Sequence, residues 1–142
     1  EITVNGLALP PVSAGAGMQG LPGDFLSTSR FIRALIFSKN APTNVSSAEQ
    51  VGTAFHLLDQ FDLPPGIQGI PAGGRFGGGG SKATYEITEW SVVSDQKNGT
   101  YSIRTFKNPD IRQMRFEDLP LSGGSIKVMA LDQPQKITIL RP

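Results

Sequence analysis

The sequence predicts an α+β fold, in which two helices precede a run of short antiparallel strands. Two segments, one on each side of Pro42, carry apolar residues at helical spacing. From Thr84 onward, apolar and polar residues alternate between turn signals. Glycine and proline, 17 and 11 of the 142 residues, indicate many turns and loops. A chain of this length has room for one hydrophobic core, so we expect one domain or part of one.

The first residues predict a short β-hairpin. Two apolar segments, 2–4 and 7–9, flank Asn5-Gly6, a pair that favours positive φ in tight turns. The small residues over 13–23 show no amphipathic period and predict a structured loop in which the backbone can approach another group closely.

Residues 29–38 are predicted to form the first helix. Their apolar side chains share one broad face, and a serine or threonine at 27–29 is available as a cap. Asn40-Ala41-Pro42 then stops the helix. The β-branched residues Ile32 and Ile36 leave a strand as the alternative.

The second helix has a clearer start signal. Ser46-Ser47-Ala48-Glu49 matches a capping box, in which the serine and the glutamate each satisfy a backbone N–H of the other. Apolar residues then recur at helical spacing as far as Pro64-Pro65.

The rest of the chain predicts a loop followed by strands. Gly66 to Ser81 contains eight glycines and is predicted to be a flexible loop. Turns are predicted at 95–99 and at Asn108-Pro109-Asp110. The predicted strands are Thr84 to Val93, Thr100 to Phe106, Ile111 to Phe116, Ser125 to Leu131 and Lys136 to Leu140.

Charge and cysteine content exclude several classes of function. The net charge is +1 without basic or acidic runs, so the sequence does not favour binding to nucleic acid or to an anionic membrane. There is no cysteine, which excludes disulfides and thiol catalysis by this chain's own residues. No apolar run approaches the roughly 20 residues that span a bilayer. We expect no cofactor and no metal.

Three motifs invite a functional interpretation, and the context of each favours a plainer one. Gly15 to Gly20 matches G-x-G-x-x-G, but neither a helix start nor a βαβ unit surrounds it, so nucleotide binding is disfavoured. His56 is the only histidine and is interpreted as a structural residue of the second helix. Trp90 falls in the middle of a predicted strand and is interpreted as a core aromatic residue rather than a pocket residue.

Arg30 and Arg33 lie in the first turn of the first predicted helix, where a cation gains nothing from the helix dipole. Three residues apart, they point to similar sides of that helix. One interpretation is a surface salt bridge. The other is a charge delivered to a site that forms with the glycine-rich segment ahead of it, and the residue types alone do not separate the two.

The run from Gly15 to Arg33 reads Gly-Ala-Gly-Met-Gln-Gly-Leu-Pro-Gly-Asp-Phe-Leu-Ser-Thr-Ser-Arg-Phe-Ile-Arg. It resembles a signature of the choloylglycine hydrolase family, which includes penicillin V acylases and conjugated bile acid hydrolases. The resemblance extends over about Leu7 to Phe116. Further similar segments follow in order: Ala54 to Leu58, Pro64 to Gly66, Tyr85 to Asp95, Tyr101 to Phe106 and Ile111-Arg112.

This resemblance implies an N-terminal-nucleophile fold, an αββα sandwich of antiparallel sheets between helical layers. The family hydrolyses linear amides with an amino-terminal cysteine whose own α-amino group serves as the base. By resemblance, Arg30 is the family's catalytic arginine near the nucleophilic sulfur, where a fixed cation favours the thiolate. Arg33 matches no catalytic role and is expected to pack or pair, and Asp24 is expected to hold the loop.

The resemblance also implies that residues 1–142 are the C-terminal portion of a single hydrolase domain whose sandwich is incomplete here. The family's nucleophile, active-site aspartate and oxyanion-hole asparagine would lie upstream of Glu1. We therefore expect this chain alone to be inactive and its partner to be the upstream part of the same protein. A non-enzymatic secreted binding module and an inactive family member are the alternatives.

Two segments look more like the Gram-negative penicillin V acylases than the gut bile salt hydrolases. They are Gly15 to Gly20, which precedes the Leu-Pro-Gly-Asp motif, and Glu89-Trp90-Ser91-Val92-Val93. That likeness implies a periplasmic or secreted homo-oligomer and a small-molecule amide substrate with an apolar acyl group. The substrate types in view are penicillin V, an acyl homoserine lactone and a conjugated bile acid.

Overall fold

The computed structural model describes residues 2–4, 6–9, 18–70, 84–120, 122–124, 128–131 and 133–141. Within them it contains two helices and seven strands, which confirms the predicted α+β class. In chain order the elements are β1 (Ile2–Val4), β2 (Leu7–Leu9), α1 (Ser27–Asn40), α2 (Ser47–Asp59), β3 (Gln68–Ile70), β4 (Thr84–Glu86), β5 (Trp90–Asp95), β6 (Thr100–Thr105) and β7 (Asn108–Arg115).

The chain divides into two compact units, Glu1–Phe61 and Asp62–Pro142. In the first unit, β1 and β2 form the predicted antiparallel hairpin, and Gly6 has the positive φ of 81° that its turn requires. The first three residues of the G-x-G-x-x-G match, 15–17, lie outside the described residues.

Helix α1 extends two residues beyond the predicted 29–38 at each end, so the strand alternative is wrong. The predicted serine or threonine cap is also wrong, because the N-cap residue is Leu26 and it makes no side-chain cap. The Asp24 carboxylate accepts a hydrogen bond from the Leu26 N–H instead, at 2.8 Å. The cap-type residues at 27–29 therefore lie inside the first turn.

Helix α2 has the predicted capping box. Ser46 Oγ accepts a hydrogen bond from the Glu49 N–H, and the Glu49 carboxylate accepts one from the Ser46 N–H at 2.9 Å. The helices contact each other, and the buried apolar side chains of this unit are Ile36, Val51 and Phe55. Val51 and Phe55 lie on the apolar face predicted for α2. On α1 the predicted face is only partly buried, since Ile36 is 4% exposed whereas Phe31 is 67% exposed.

The second unit contains a two-stranded sheet, β3–β4, and a three-stranded antiparallel sheet in the order β5–β6–β7. The predicted continuous strand over 84–93 is wrong, since it is interrupted at residues 87–89. Thr88 binds Leu63 there instead: its Oγ1 accepts from the Leu63 N–H at 2.9 Å, and its N–H donates to the Leu63 carbonyl at 3.2 Å. Residues 68–70, predicted as loop, form β3, and the glycine run at 73–80 lies outside the described residues.

The turn between β6 and β7 comes earlier than predicted. It lies at Phe106-Lys107, and Asn108-Pro109-Asp110 begins β7 rather than forming a turn. The Asn108 N–H donates to Thr105 Oγ1 at 3.2 Å, which closes the turn. Pro109 is tolerated because β7 is an edge strand of its sheet and the proline is near the strand's start.

The strands predicted at 125–131 and 136–140 are not formed by the residues described there, 128–131 and 133–141. This segment is held by side chains of β7 instead of by a backbone ladder. Asn108 Nδ2 donates to the Gln133 carbonyl at 2.8 Å, Asp110 accepts from the Lys136 N–H, and Arg112 donates to the Leu131 carbonyl. The alternating residues Ile137 and Ile139 stay exposed.

Candidate functional site

A network of hydrogen bonds joins the Leu-Pro-Gly-Asp loop, Leu21 to Asp24, to the start of α1. Both oxygens of the Asp24 carboxylate take part: Oδ1 accepts from the Leu26 N–H and Oδ2 accepts from the Ser29 hydroxyl, each at 2.8 Å. These two bonds, the backbone one first, lower the pKa of Asp24 below its usual 3.8. Ser29 is buried, and the carboxylate keeps its charge at neutral pH. The expectation that Asp24 holds the loop is confirmed.

Arg33 is the one buried charged residue in the part of the chain that the structure describes, with 7% of its surface exposed. Its Nη1 donates to the carbonyls of Pro22 and Asp24, the second at 2.8 Å. Its guanidinium carbon lies 5.4 Å from the centroid of the Phe61 ring, which is a cation–π distance. Arg33 therefore packs and pairs as expected, and the surface salt bridge interpretation does not apply to it.

Arg30 lies one turn earlier on the same helix and is exposed. Its backbone N–H donates to the Leu26 carbonyl at 2.9 Å as part of the helix ladder. Over the described residues, its guanidinium has no hydrogen bond or ion pair. The residue types alone did not distinguish the roles of these two arginines, but the structure does. The Arg33 guanidinium is buried and hydrogen-bonded to the loop, whereas the Arg30 guanidinium is exposed.

This arrangement can supply an exposed cation, that of Arg30, to an anionic or polarised group brought to the start of α1. It supplies no thiol nucleophile, because the chain has no cysteine. His56 lies on α2 with its side chain 86% exposed and Nδ1 3.7 Å from an Asp59 carboxylate oxygen, so the expectation of a packed or half-exposed structural residue is wrong. Across the parts of the chain that the structure describes, no group of three or more His, Cys, Asp or Glu residues could hold a metal ion.

The interpretation of Trp90 as a core aromatic residue is wrong. Its side chain is 58% exposed, because it lies on the exposed face of β5 with Val92. It lines a cleft of about 650 Å³ in the second unit. The cleft residues are Ile87, Glu89, Trp90, Thr105, Phe106, Lys107, Ala130 and Leu131.

The residue that sequence reasoning undervalued is Ser29. At 5% exposure it is among the most buried polar residues, and its hydroxyl connects α1 to Asp24. A signal was present in the sequence: Ser29 and Arg33 are four residues apart on the face of the helix that follows Pro22-Gly23-Asp24.

No helix of the described residues is long and apolar enough to span a membrane.

Two solved structures share the fold of this chain. Both are variants of the conjugated bile acid hydrolase from Clostridium perfringens. One has a TM-score of 0.67 at 23% identity, and the match covers 98% of this chain and 39% of the bile acid hydrolase chain. The other has a TM-score of 0.66 at 24% identity, covering 89% and 36%. The fold of this chain is therefore the N-terminal-nucleophile fold, as predicted.

The family follows from the sequence comparison. The model of the linear amide C-N hydrolases, choloylglycine hydrolase family, matches residues 1–138. The chain belongs to the choloylglycine hydrolase family.

Individual relatives agree with this assignment. An uncharacterised protein of Paramecium bursaria Chlorella virus 1 is 36% identical over 102 residues, which is 72% of this chain and 35% of that protein. The bile salt hydrolase/transferase of Lactiplantibacillus plantarum is 31% identical over 106 residues, 75% and 30% of the two chains. That of Bifidobacterium longum is 28% identical over 113 residues, 80% and 32%. The chain thus spans about a third of the length of these relatives.

Proposed function

We propose that this chain is the C-terminal portion of a cysteine amidohydrolase that cleaves a linear amide carrying an apolar acyl group. The observation that carries the proposal is the exposed guanidinium of Arg30, a residue of the family's signature segment. In the described part of the chain, this guanidinium has no hydrogen bond or ion pair. The partner is the upstream part of the same protein, which supplies the amino-terminal cysteine. We also propose that the complete protein is exported.

In the proposed reaction, the α-amino group takes the thiol proton and the thiolate attacks the amide carbonyl. The C–N bond then breaks as that proton passes to the leaving amine, and water hydrolyses the resulting thioester to the carboxylic acid and the free thiol. A cation near the sulfur favours the thiolate, because it lowers the thiol pKa from its usual value near 8.5. The same charge helps to stabilise the anionic tetrahedral intermediate.

Three amides are candidate substrates, and they share an apolar acyl group. The relatives are named as bile salt hydrolases, which supports a conjugated bile acid. The likeness of the signature segment to penicillin V acylases supports penicillin V or an acyl homoserine lactone. A panel of glycocholate, penicillin V and a long-chain acyl homoserine lactone covers all three.

The test is Arg30→Met in the complete protein, measured on that panel. Loss of a charge that stabilises the transition state is expected to lower kcat/KM by about 100-fold or more, with the melting temperature unchanged because Arg30 is exposed. Arg115→Met is the matched control, since Arg115 is also exposed and only pairs with Glu117 at 3.5 Å. Activity of Arg30→Met within a few-fold of the unmodified protein would refute the proposal.

A further inference from the structure

Four residues form what we term the α1 clamp: Pro22, Asp24, Ser29 and Arg33. Arg33 donates to the carbonyls of Pro22 and Asp24, and the Asp24 carboxylate accepts from the Ser29 hydroxyl. Helical side chains tilt toward the helix N-terminus, so the Arg33 side chain extends back to the loop that precedes α1. The loop and the first two turns of the helix are therefore one connected unit.

The clamp contains a buried charge, the guanidinium of Arg33, whose removal from water is unfavourable by itself. Burial of a cation is unfavourable unless hydrogen bonds and nearby opposite charge compensate for it. Arg33 obtains this compensation from two carbonyls, from the Phe61 ring and from the neighbouring Asp24 carboxylate. Two peptide groups of the loop are thereby held to one planar guanidinium, which fixes their orientation.

The backbone of Arg30 is linked to this unit by hydrogen bonds. The Arg30 N–H donates a hydrogen bond to the Leu26 carbonyl, and the Leu26 N–H donates one to the Asp24 carboxylate. Leu26 therefore connects the backbone of Arg30 to a residue of the clamp. In the described residues its guanidinium has no contact of its own to steer it. Groups that act in a reaction must be placed within about 0.5 Å, and such placement comes from the surrounding residues.

From this geometry we propose that Arg33 is a positioning residue, which acts on the reaction through Arg30 by way of the clamp. The inference rests on the proposed function, since it takes Arg30 to be catalytic. A displacement of about 1 Å at a catalytic group costs up to about 100-fold in rate. Arg33→Met in the complete protein is therefore expected to lower kcat by about 10- to 100-fold, with KM changed by less than about threefold.

The decisive experiment is a double-mutant cycle of Arg30→Met and Arg33→Met, assayed with penicillin V and glycocholate. If Arg33 acts through Arg30, its substitution in the Arg30→Met background is expected to cost less than about threefold, because nothing is left to position. A second readout is the pH dependence of iodoacetamide alkylation of the nucleophile. Both single variants should raise the apparent pKa of that thiol, which a loss of stability alone does not do.

Three further variants keep the test decisive if Arg33→Met folds poorly. Arg33→Lys keeps a cation and should recover part of the rate, and Ser29→Ala removes one clamp hydrogen bond and should give a smaller, equally non-additive loss. Arg104→Met is the control for loss of a mostly buried arginine, since Arg104 is 16% exposed and lies 3.8 Å from an Asp62 oxygen. It is expected to keep kcat within about twofold and to leave the thiol pKa unchanged.

The outcomes separate the two claims. Multiplicative losses from Arg30→Met and Arg33→Met, or normal kcat and thiol pKa in a folded Arg33→Met protein, would overturn the positioning role and leave the proposed function standing. Normal activity of Arg30→Met would overturn the proposed function, and the positioning role with it.

Discussion

Asn108 joins the edge strand β7 to the C-terminal segment, and its replacement by alanine is expected to release that segment. The side chain is 3% exposed and uses both ends of its amide. Oδ1 accepts from the Asp110 N–H at 3.0 Å, and Nδ2 donates to the Gln133 carbonyl at 2.8 Å. The turn before it should survive, because the bond to Thr105 Oγ1 comes from the Asn108 backbone.

The magnitude follows from the two side-chain bonds. Each contributes about 1 kcal/mol net, and alanine leaves the N–H of Asp110 and the carbonyl of Gln133 without this partner. Both bonds are only partly buried, so water replaces part of what is lost. We therefore expect Asn108→Ala to lower the free energy of unfolding of the complete protein by about 2 kcal/mol.

The assay combines urea unfolding with hydrogen exchange. Peptides over 128–141 should exchange faster in Asn108→Ala, while peptides of β6 should not change. Asn98→Ala is the control, because Asn98 is exposed and bonds only to Asp95 in its turn, so a change within about 0.5 kcal/mol is expected. An Asn108→Ala protein as stable as the control variant, with unaltered exchange over 128–141, would refute the reasoning.

Two further predictions concern the first unit. Because hydrogen bonds from the Leu26 N–H and Ser29 lower the pKa of Asp24, its ionised form stabilises the folded state above its usual 3.8, and this stability is lost as pH falls through the lowered folded pKa. The unfolding free energies of the unmodified protein and of Asp24→Asn should thus converge as pH falls below the usual 3.8 and through the lowered folded pKa, and a constant difference would contradict this. Phe55, 2% exposed, anchors α2. Phe55→Ala should cost about 3–5 kcal/mol in urea unfolding and Phe55→Leu less, whereas equal losses would argue against a packed site.

Local signals in the sequence predicted the elements that local interactions determine. The capping box at Ser46 and Glu49 uses atoms three residues apart, so the start of α2 could be read directly. The first hairpin follows likewise from the turn at Gly6. For the strand predicted over 84–93, the deciding partner was distant in sequence, because Leu63, 25 residues from Thr88, bonds to it where the strand is interrupted.

The C-terminal segment shows the same limit in a different form. Ile137 and Ile139 alternate as strand residues do, and the pattern predicted a strand there. Alternation reports only that a backbone is compatible with a sheet. Whether a ladder forms depends on a neighbouring strand, and in the described residues the segment's nearest contacts are side chains of β7 such as Asp110.

The candidate site combines both situations. The family signature identified Arg30 by resemblance, whereas residue type and helical spacing left Arg30 and Arg33 equivalent. What separates them is the loop: its Pro22 and Asp24 carbonyls, eleven and nine residues before Arg33, engage one guanidinium and leave the other exposed. Because hydrogen-bonded groups of this kind couple, a substitution in the Leu-Pro-Gly-Asp loop should be judged by its effect on Arg30 and Arg33 together. An activity lost at Asp24 would therefore not by itself mean that Asp24 touches the substrate, and only its coupling to Arg30 would distinguish the two cases.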